Sequence, residues 1–193
     1  MSASLPLSAQ TLSQIGAGQA VAVPGYDRSR VRTGIVHVGV GGFFRSHQAM
    51  YLDRLMARGE ALDFGICGIA ALPHDRRIFE AMTGQDCLYT LVLKHPSGTL
   101  EPHIIGSMTT MLFAPDDPQA VVDVMAHPDT KIVALTITEG GYLIDQVTGE
   151  FRADHPSIQP DLLPGATPST TFGFIVAALA ARREAGVAPF TVQ

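Results

Sequence analysis

The stretch Thr33 to Tyr51, TGIVHVGVGGFFRSHQAMY, constrains the fold more than any other part of the chain. Ile35, Val36 and Val38 are β-branched residues in a short apolar run, and Gly39, Gly41 and Gly42 follow at once. A helical segment comes next, with Met50, Tyr51, Leu52, Leu55 and Met56 expected to share its buried face. A strand, a glycine turn and a helix in that order open a dinucleotide-binding unit. Gly39 permits the tight turn, and Gly41 has no Cβ to hold a pyrophosphate away from the backbone. The first free N–H groups of the helix then meet phosphate charge at the positive end of the helix dipole. In Gly39-Val40-Gly41-Gly42-Phe43-Phe44 a phenylalanine stands where the third glycine of the usual fingerprint would be, so helix and strand are expected to pack less closely.

The rest of the chain alternates strand and helix. Residues 1–33 read as an N-terminal arm with a short helix near Ser8–Ile15 and a Pro24-Gly25 turn; residues 34–193 read as one domain. A second buried strand spans Phe64 to Ala70, and a short helix spans Asp75 to Met82. Leu88–Lys94 and Leu100–Ser107 form a hairpin across Pro96-Ser97-Gly98. A helix starts at Asp116-Asp117-Pro118 with Val121, Val124 and Met125 inward. Lys131 to Thr138 is a continuous apolar run suited to a parallel strand covered on both faces. Gly140-Gly141 ends that strand, Asp145 to Phe151 is a short excursion, and Pro156 to Pro168 is a proline-rich connection. A helix over Ser169–Glu184 carries Phe172, Ile175, Val176, Leu179 and Ala180 at the spacing of one face, and Pro189 to Val192 opens a further strand. The expected architecture is an α/β, doubly wound and mostly parallel sheet. Its ligand belongs at the carboxyl ends of the strands, with Gly39–Gly42 and Gly140–Gly141 facing each other across one crevice.

Composition excludes several function classes. A net charge of −5 argues against a nucleic-acid or anionic-membrane partner. No apolar run is long enough for a transmembrane helix, and MSASLPLSAQTLSQ lacks the basic start and apolar core of a signal peptide. Cys67 and Cys87 form no metal motif and read as buried reduced thiols of a cytoplasmic protein. The histidines show no ligand spacing with each other or with the cysteines, so no zinc site is expected. His37 in a strand reads as a satisfied core histidine, and His47 as a packing or hydrogen-bonding group.

The run GVGGFFRSHQ closely resembles the N-terminal signature of the mannitol dehydrogenase family, the zinc-independent polyol dehydrogenases and sugar-acid reductases. TITEGGY (Thr136–Tyr142) resembles the family's motif at the end of the strand beside the nicotinamide, and TTFGFIVAALAARREAGVAPFTV resembles its helix-and-strand segment. The resemblance implies a Rossmann-type fold and NAD held by Val38, Gly39, Val40, Gly41, Gly42, Phe43, Phe44, Arg45, Asp75 and Thr138. Asp75 just beyond the second strand would meet the adenine ribose, as an aspartate does in the family, or would simply cap a helix. His74 stands where some relatives carry a second acid, and Arg76 and Arg77 could meet a 2′-phosphate. A carboxylate about 4 Å from that phosphate costs roughly 4 kcal/mol at an effective dielectric of 20, which favours NAD over NADP. Glu139 either caps a loop or positions water and relays a proton. Tyr142 has Gln146 rather than lysine four residues on, which removes the short-chain dehydrogenase reading.

The TEGGY form resembles the branch whose members interconvert mannitol and fructose by hydride transfer with NAD and need no metal. The resemblance places the general-base lysine in a C-terminal, largely helical substrate domain outside these residues. The chain is therefore expected to be the nucleotide-binding half of a polyol dehydrogenase, truncated before that domain, with a polyol or ketose partner and little turnover alone. A non-catalytic dinucleotide-binding module, an arabinitol dehydrogenase and a fructuronate or tagaturonate reductase remain as alternatives.

Overall fold

The computed structural model describes residues 5–18 and 20–193, with Glu139 described by its backbone alone. A short helix α1 (Leu12–Ala17) precedes β1 (Thr33–Val38), α2 (Gly42–Ser46), α3 (Gln48–Ala57), β2 (Gly65–Ala70) and α4 (Arg76–Thr83). The hairpin β3 (Tyr89–Lys94) and β4 (Leu100–Ile105) follows, then β5 (Met108–Phe113), α5 (Pro118–Ala126), β6 (Ile132–Leu135), α6 (Thr171–Glu184) and β7 (Thr191–Val192). Five parallel strands form the main sheet in the order β5-β2-β1-β6-β7, and β3 and β4 pair antiparallel on their own. The chain winds outward from β1 to β2 and β5, then returns to lay β6 and β7 on the other side of β1. That reversal between β1 and β6 is where a doubly wound sheet opens a crevice at its carboxyl edge.

The strand period of two divides the core into two layers. Ile35, Ile66 and Met108 face α2, α3 and α4 with Phe44 and Met82. Val36, Val38, Cys67 and Val133 face α5 and α6 with Val121, Met125, Phe174 and Ala178. Both cysteines are free and buried, and burial pushes the Cys67 thiol up to about 12 and the Cys87 thiol up to about 11. Among the described residues no helix is long and apolar enough to cross a membrane.

Several elements differ from what periodicity predicts, each for a physical reason. Strand β5 was not expected, because only Gly106 and Ser107 separate it from β4 and no turn signal marks the break. An anchor replaces the turn: the Gly106 amide donates to Asp53 Oδ1 (2.8 Å), and Ser107 Oγ donates to the Ala49 carbonyl (2.6 Å). The same anchor turns α3, whose buried residues are Ala49, Met50, Asp53 and Met56, while Tyr51 is 54% exposed. Asp53 is fully buried: Tyr26 Oη also donates to its Oδ1 (2.7 Å), whereas Oδ2, 3.2 Å from His103 Nε2, has no hydrogen-bond partner among the described residues. Helix α5 buries Val121, Val122 and Met125, with Val124 only partly covered.

Helix α6 buries Phe174, Ile175, Ala178 and Arg182, and Val176 is 66% exposed. Its sequence is apolar nearly all round, so periodicity has no single direction to report. Arg182 decides the orientation by donating to the carbonyls of Ala188, Met125, His127 and Thr130. Helix α1 starts four residues later than expected, since Ser8 and Thr11 are used in a side-chain turn at its head. The arm runs against the hairpin, where Ala22 exchanges backbone hydrogen bonds with Pro102 and Ile104. Arg28 secures it further by donating to the carbonyls of Gly106, Asp86 and Met108.

Candidate functional site

The turn after β1 is built by two glycines with different duties. Gly39 has φ +88°, a left-handed backbone that disfavours a side chain, and a Cβ there would lie 2.8 Å from the Thr136 carbonyl oxygen. This contact joins the carboxyl ends of β1 and β6. Thr136 donates through its amide to Val38 (3.1 Å) and through Oγ1 to Gly39 (3.2 Å). Gly41 precedes the first residue of α2 with φ −75° and ψ 176°, and a Cβ on Gly41 or Gly42 would meet nothing within 4 Å. Among the described residues, the amides of Val40 and Gly41 find no acceptor. A bare backbone with free N–H groups above an open space is a cradle for an anionic group.

Phe44 explains how the fold does without the third glycine. Its ring is 1% exposed and stacks on His37 with centroids 3.8 Å apart. The Phe44 ring thus fills the space between α2 and β1 where the usual fingerprint has its third glycine. His37 is buried as expected, but its Nδ1 has no hydrogen-bond partner among the described residues. The expectation of a satisfied histidine is therefore corrected at Nδ1. Burial holds its pKa down to about 4, so the ring stays neutral. His47 ends α2 and starts α3, with Nδ1 2.8 Å from the Phe43 carbonyl.

A cleft of about 860 Å³ opens at the carboxyl edge of the sheet. One wall is Val38 to Gly41 with Arg45, and another is His74 and Asp75 beyond β2. Thr136, Ile137, Thr138 and Gly141 face the glycine turn, and Ser169 to Phe172 close the remaining side. The structure therefore brings Val38, Gly39, Val40, Gly41, Arg45, Asp75 and Thr138 around one space. Gly42, Phe43 and Phe44 do not line it: Phe44 lies beneath the turn, and Phe43 lines a separate cleft of about 600 Å³ beside Ile132 and Tyr51. Glu139 begins a single helical turn after Thr138, and its side chain lies outside the described residues.

Asp75 occupies the position before α4, yet its side chain does not cap that helix. Oδ2 instead accepts from the Leu72 amide (3.0 Å), closing the preceding turn, and Oδ1 lies 3.7 Å from His74 Nε2. The carboxylate is fixed at the cleft and retains acceptor capacity. Arg76 and Arg77 do not line the cleft. Arg76 pairs with Asp116 (Nη2 to Oδ1, 2.5 Å) and lies 4.3 Å above the Phe113 ring.

One residue that supports the cleft wall from behind carries no signal in the sequence. Asp161, within the proline-rich connection, accepts from the amide and hydroxyl of both Ser169 (2.9 and 2.9 Å) and Thr170 (2.9 and 2.5 Å). Burial pushes its carboxyl up, but the Thr170 and Ser169 bonds outweigh this and hold it below the usual carboxylate range. Gly173 makes the arrangement possible, since a Cβ there would lie 2.1 Å from Asp161 Oδ2. Thr170 then caps α6 by accepting from the Gly173 amide (3.1 Å). Asp161 thereby pins the far wall of the cleft to the head of α6. Among the described residues no three His, Cys, Asp or Glu side chains converge as a metal site would require.

Comparison with known proteins agrees with this geometry. The family model described as the mannitol dehydrogenase Rossmann domain matches residues 33–193. The mannitol 2-dehydrogenase of Pyricularia oryzae is 48% identical over 190 residues, covering 96% of this chain and 38% of that protein. That of Aspergillus fumigatus is 49% identical over 196 residues, covering 99% and 39%. Among solved structures, the Pseudomonas fluorescens mannitol 2-dehydrogenase ternary complex with NAD and D-mannitol superposes with a TM-score of 0.91 at 47% identity. A D-sorbitol dehydrogenase in substrate-free form gives 0.90 at 37% identity, and both cover 97% of this chain and 38% of the other. The chain thus spans under two fifths of the length of the relatives it matches. The match across the whole sheet, with the glycine turn and crevice it contains, shows that the chain belongs to the mannitol dehydrogenase family.

Proposed function

We propose that this chain is the NAD-binding domain of a zinc-independent polyol dehydrogenase. The observation that carries the reading is the shared cleft: the open Gly41 backbone with its free amides, Asp75 and Thr138 all line one space. The Val40 and Gly41 amides and the head of α2 would hold the pyrophosphate, with Gly42, Phe43 and Phe44 contributing backbone. Asp75 would accept from the adenine ribose hydroxyls, and Arg45 would offset phosphate charge. Thr138 and the Glu139 turn would flank the nicotinamide. When bound, NAD supplies the acceptor for a hydride leaving the alcohol carbon. NADP is disfavoured by the Asp75 carboxylate.

D-mannitol is the favoured substrate, oxidised to D-fructose, because the relatives of 48–49% identity are mannitol 2-dehydrogenases. Oxidation of a secondary alcohol needs a base at the hydroxyl. The resemblance assigns that role to a lysine outside residues 1–193, and Glu139 would relay a proton or position water. A 1–193 protein is therefore proposed to bind cofactor and turn over little polyol. We place it in the cytoplasm, on its two free buried thiols, and its acidic charge argues against a nucleic-acid partner. The test is an NADH fluorescence titration of the purified chain. Saturable binding displaced by NAD more readily than by NADP is expected; absence of saturable binding in the folded protein contradicts the reading.

A further inference from the structure

We propose that Asp116 is a positioning residue for cofactor choice: by holding Arg76 over Phe113, it withholds from the cleft the guanidinium that a 2′-phosphate would otherwise recruit. This rests on the reading of the cleft as a dinucleotide site. Arg76 follows Asp75 directly and begins α4, so its backbone is adjacent to the carboxylate that would meet the ribose. Its side chain nevertheless turns away, with Nη2 2.5 Å from Asp116 Oδ1 and the guanidinium carbon 4.3 Å above the Phe113 ring. Phe113 ends β5 and pairs with Ala70, the last residue of β2. The guanidinium is thus parked at the carboxyl edge of the sheet, one strand outward from β2. The Asp116 amide donates to the Phe113 carbonyl (3.1 Å), which keeps the carboxylate beside that ring.

The withheld group matches the chemistry of a 2′-phosphate. A guanidinium meets a phosphate bidentately and cannot lose its charge. While paired with Asp116, the Arg76 guanidinium offers a 2′-phosphate nothing. Both partners are half exposed, with side-chain exposures of 47% and 57%. A pair in water holds weakly, so Asp116 tunes the choice that Asp75 dominates, and its effect is screened by salt.

The experiment titrates NADH and NADPH into the wild type, Asp116→Ala, Asp116→Glu and the double variant Arg76→Met/Asp116→Ala. Asp117, not Asp116, caps α5 through the Ala120 amide (2.9 Å), and a thermal melt verifies that each variant is folded. Asp116→Ala is expected to raise the NADPH-to-NADH affinity ratio about fivefold at low salt, with most of that gain lost at about 0.5 M salt. Asp116→Glu should retain the wild-type ratio, and the double variant should show no gain, which separates Arg76 from Arg77. An unchanged ratio in Asp116→Ala overturns the proposal. So does a gain that survives in the double variant, which would reflect loss of the Asp116 charge alone. A folded wild type that binds neither cofactor refutes the dinucleotide reading itself and removes the proposal with it.

Discussion

Gly39 and Gly41 lie two residues apart, and substituting them is expected to have opposite consequences. Gly39→Ala places a side chain in a left-handed backbone of φ +88°, at a cost of about 1–2 kcal/mol. The new Cβ also sits 2.8 Å from the Thr136 carbonyl oxygen, and crowding packed backbone costs about 1–3 kcal/mol. Reduced freedom of the unfolded chain returns about 0.4–1 kcal/mol. The net loss is about 1–4.6 kcal/mol, and a mid-range loss of about 3 kcal/mol lowers Tm by roughly 6–12 °C for a domain of this size. Gly41→Asp meets open space in an extended backbone, at the position before a helix where aspartate is favoured. Stability is therefore unchanged or raised by a few tenths of a kcal/mol. The carboxylate points where phosphate charge is proposed to lie, so NADH affinity falls at least about tenfold, or roughly 1.4 kcal/mol. Urea denaturation and NADH titration of both variants provide the readout. A Gly41→Asp protein that binds NADH as tightly as the wild type refutes the pyrophosphate assignment. A Gly39→Ala protein of unchanged stability refutes the account of the turn.

Three further outcomes are expected. Asp75→Ser removes both a ribose acceptor and a repulsion, so NADH should bind more weakly and NADPH more tightly; competition titration checks whether the two move in opposite directions. His37, held neutral with a pKa of about 4 against 6.5 when unfolded, contributes stability that is present above pH 6.5 and lost as pH falls towards 4, because only the unfolded chain takes up the proton. The loss is about 3 kcal/mol, and His37→Phe should flatten that part of the stability–pH curve measured by urea denaturation. Arg182→Met strips four carbonyls of their buried donor and should cost at least about 3 kcal/mol in the same assay.

The sequence discloses what local chemistry controls and conceals what distant partners decide. The glycine turn, β1, β2 and the hairpin are legible because backbone conformation and period-two burial leave their mark residue by residue. Strand β5 is hidden because its break from β4 is made by Asp53, more than fifty residues earlier, and not by a turn residue. The buried faces of α3 and α6 are misjudged because a carboxylate and a guanidinium lie inside them, where hydrophobic spacing expects neither. Gly39, Gly41 and Asp75, which line the cleft, are legible from their order relative to the strands. Asp161 and the Arg76–Asp116 pair are not, since each acts through a partner 8 to 40 residues away.

A crystal structure of the chain with NAD tests the central claim most directly. The account predicts pyrophosphate oxygens within hydrogen-bond distance of the Val40 and Gly41 amides at the head of α2, ribose hydroxyls on Asp75, and the nicotinamide beside Thr138. Cofactor bound in another part of the molecule, or a pyrophosphate held away from the glycine turn, would contradict it.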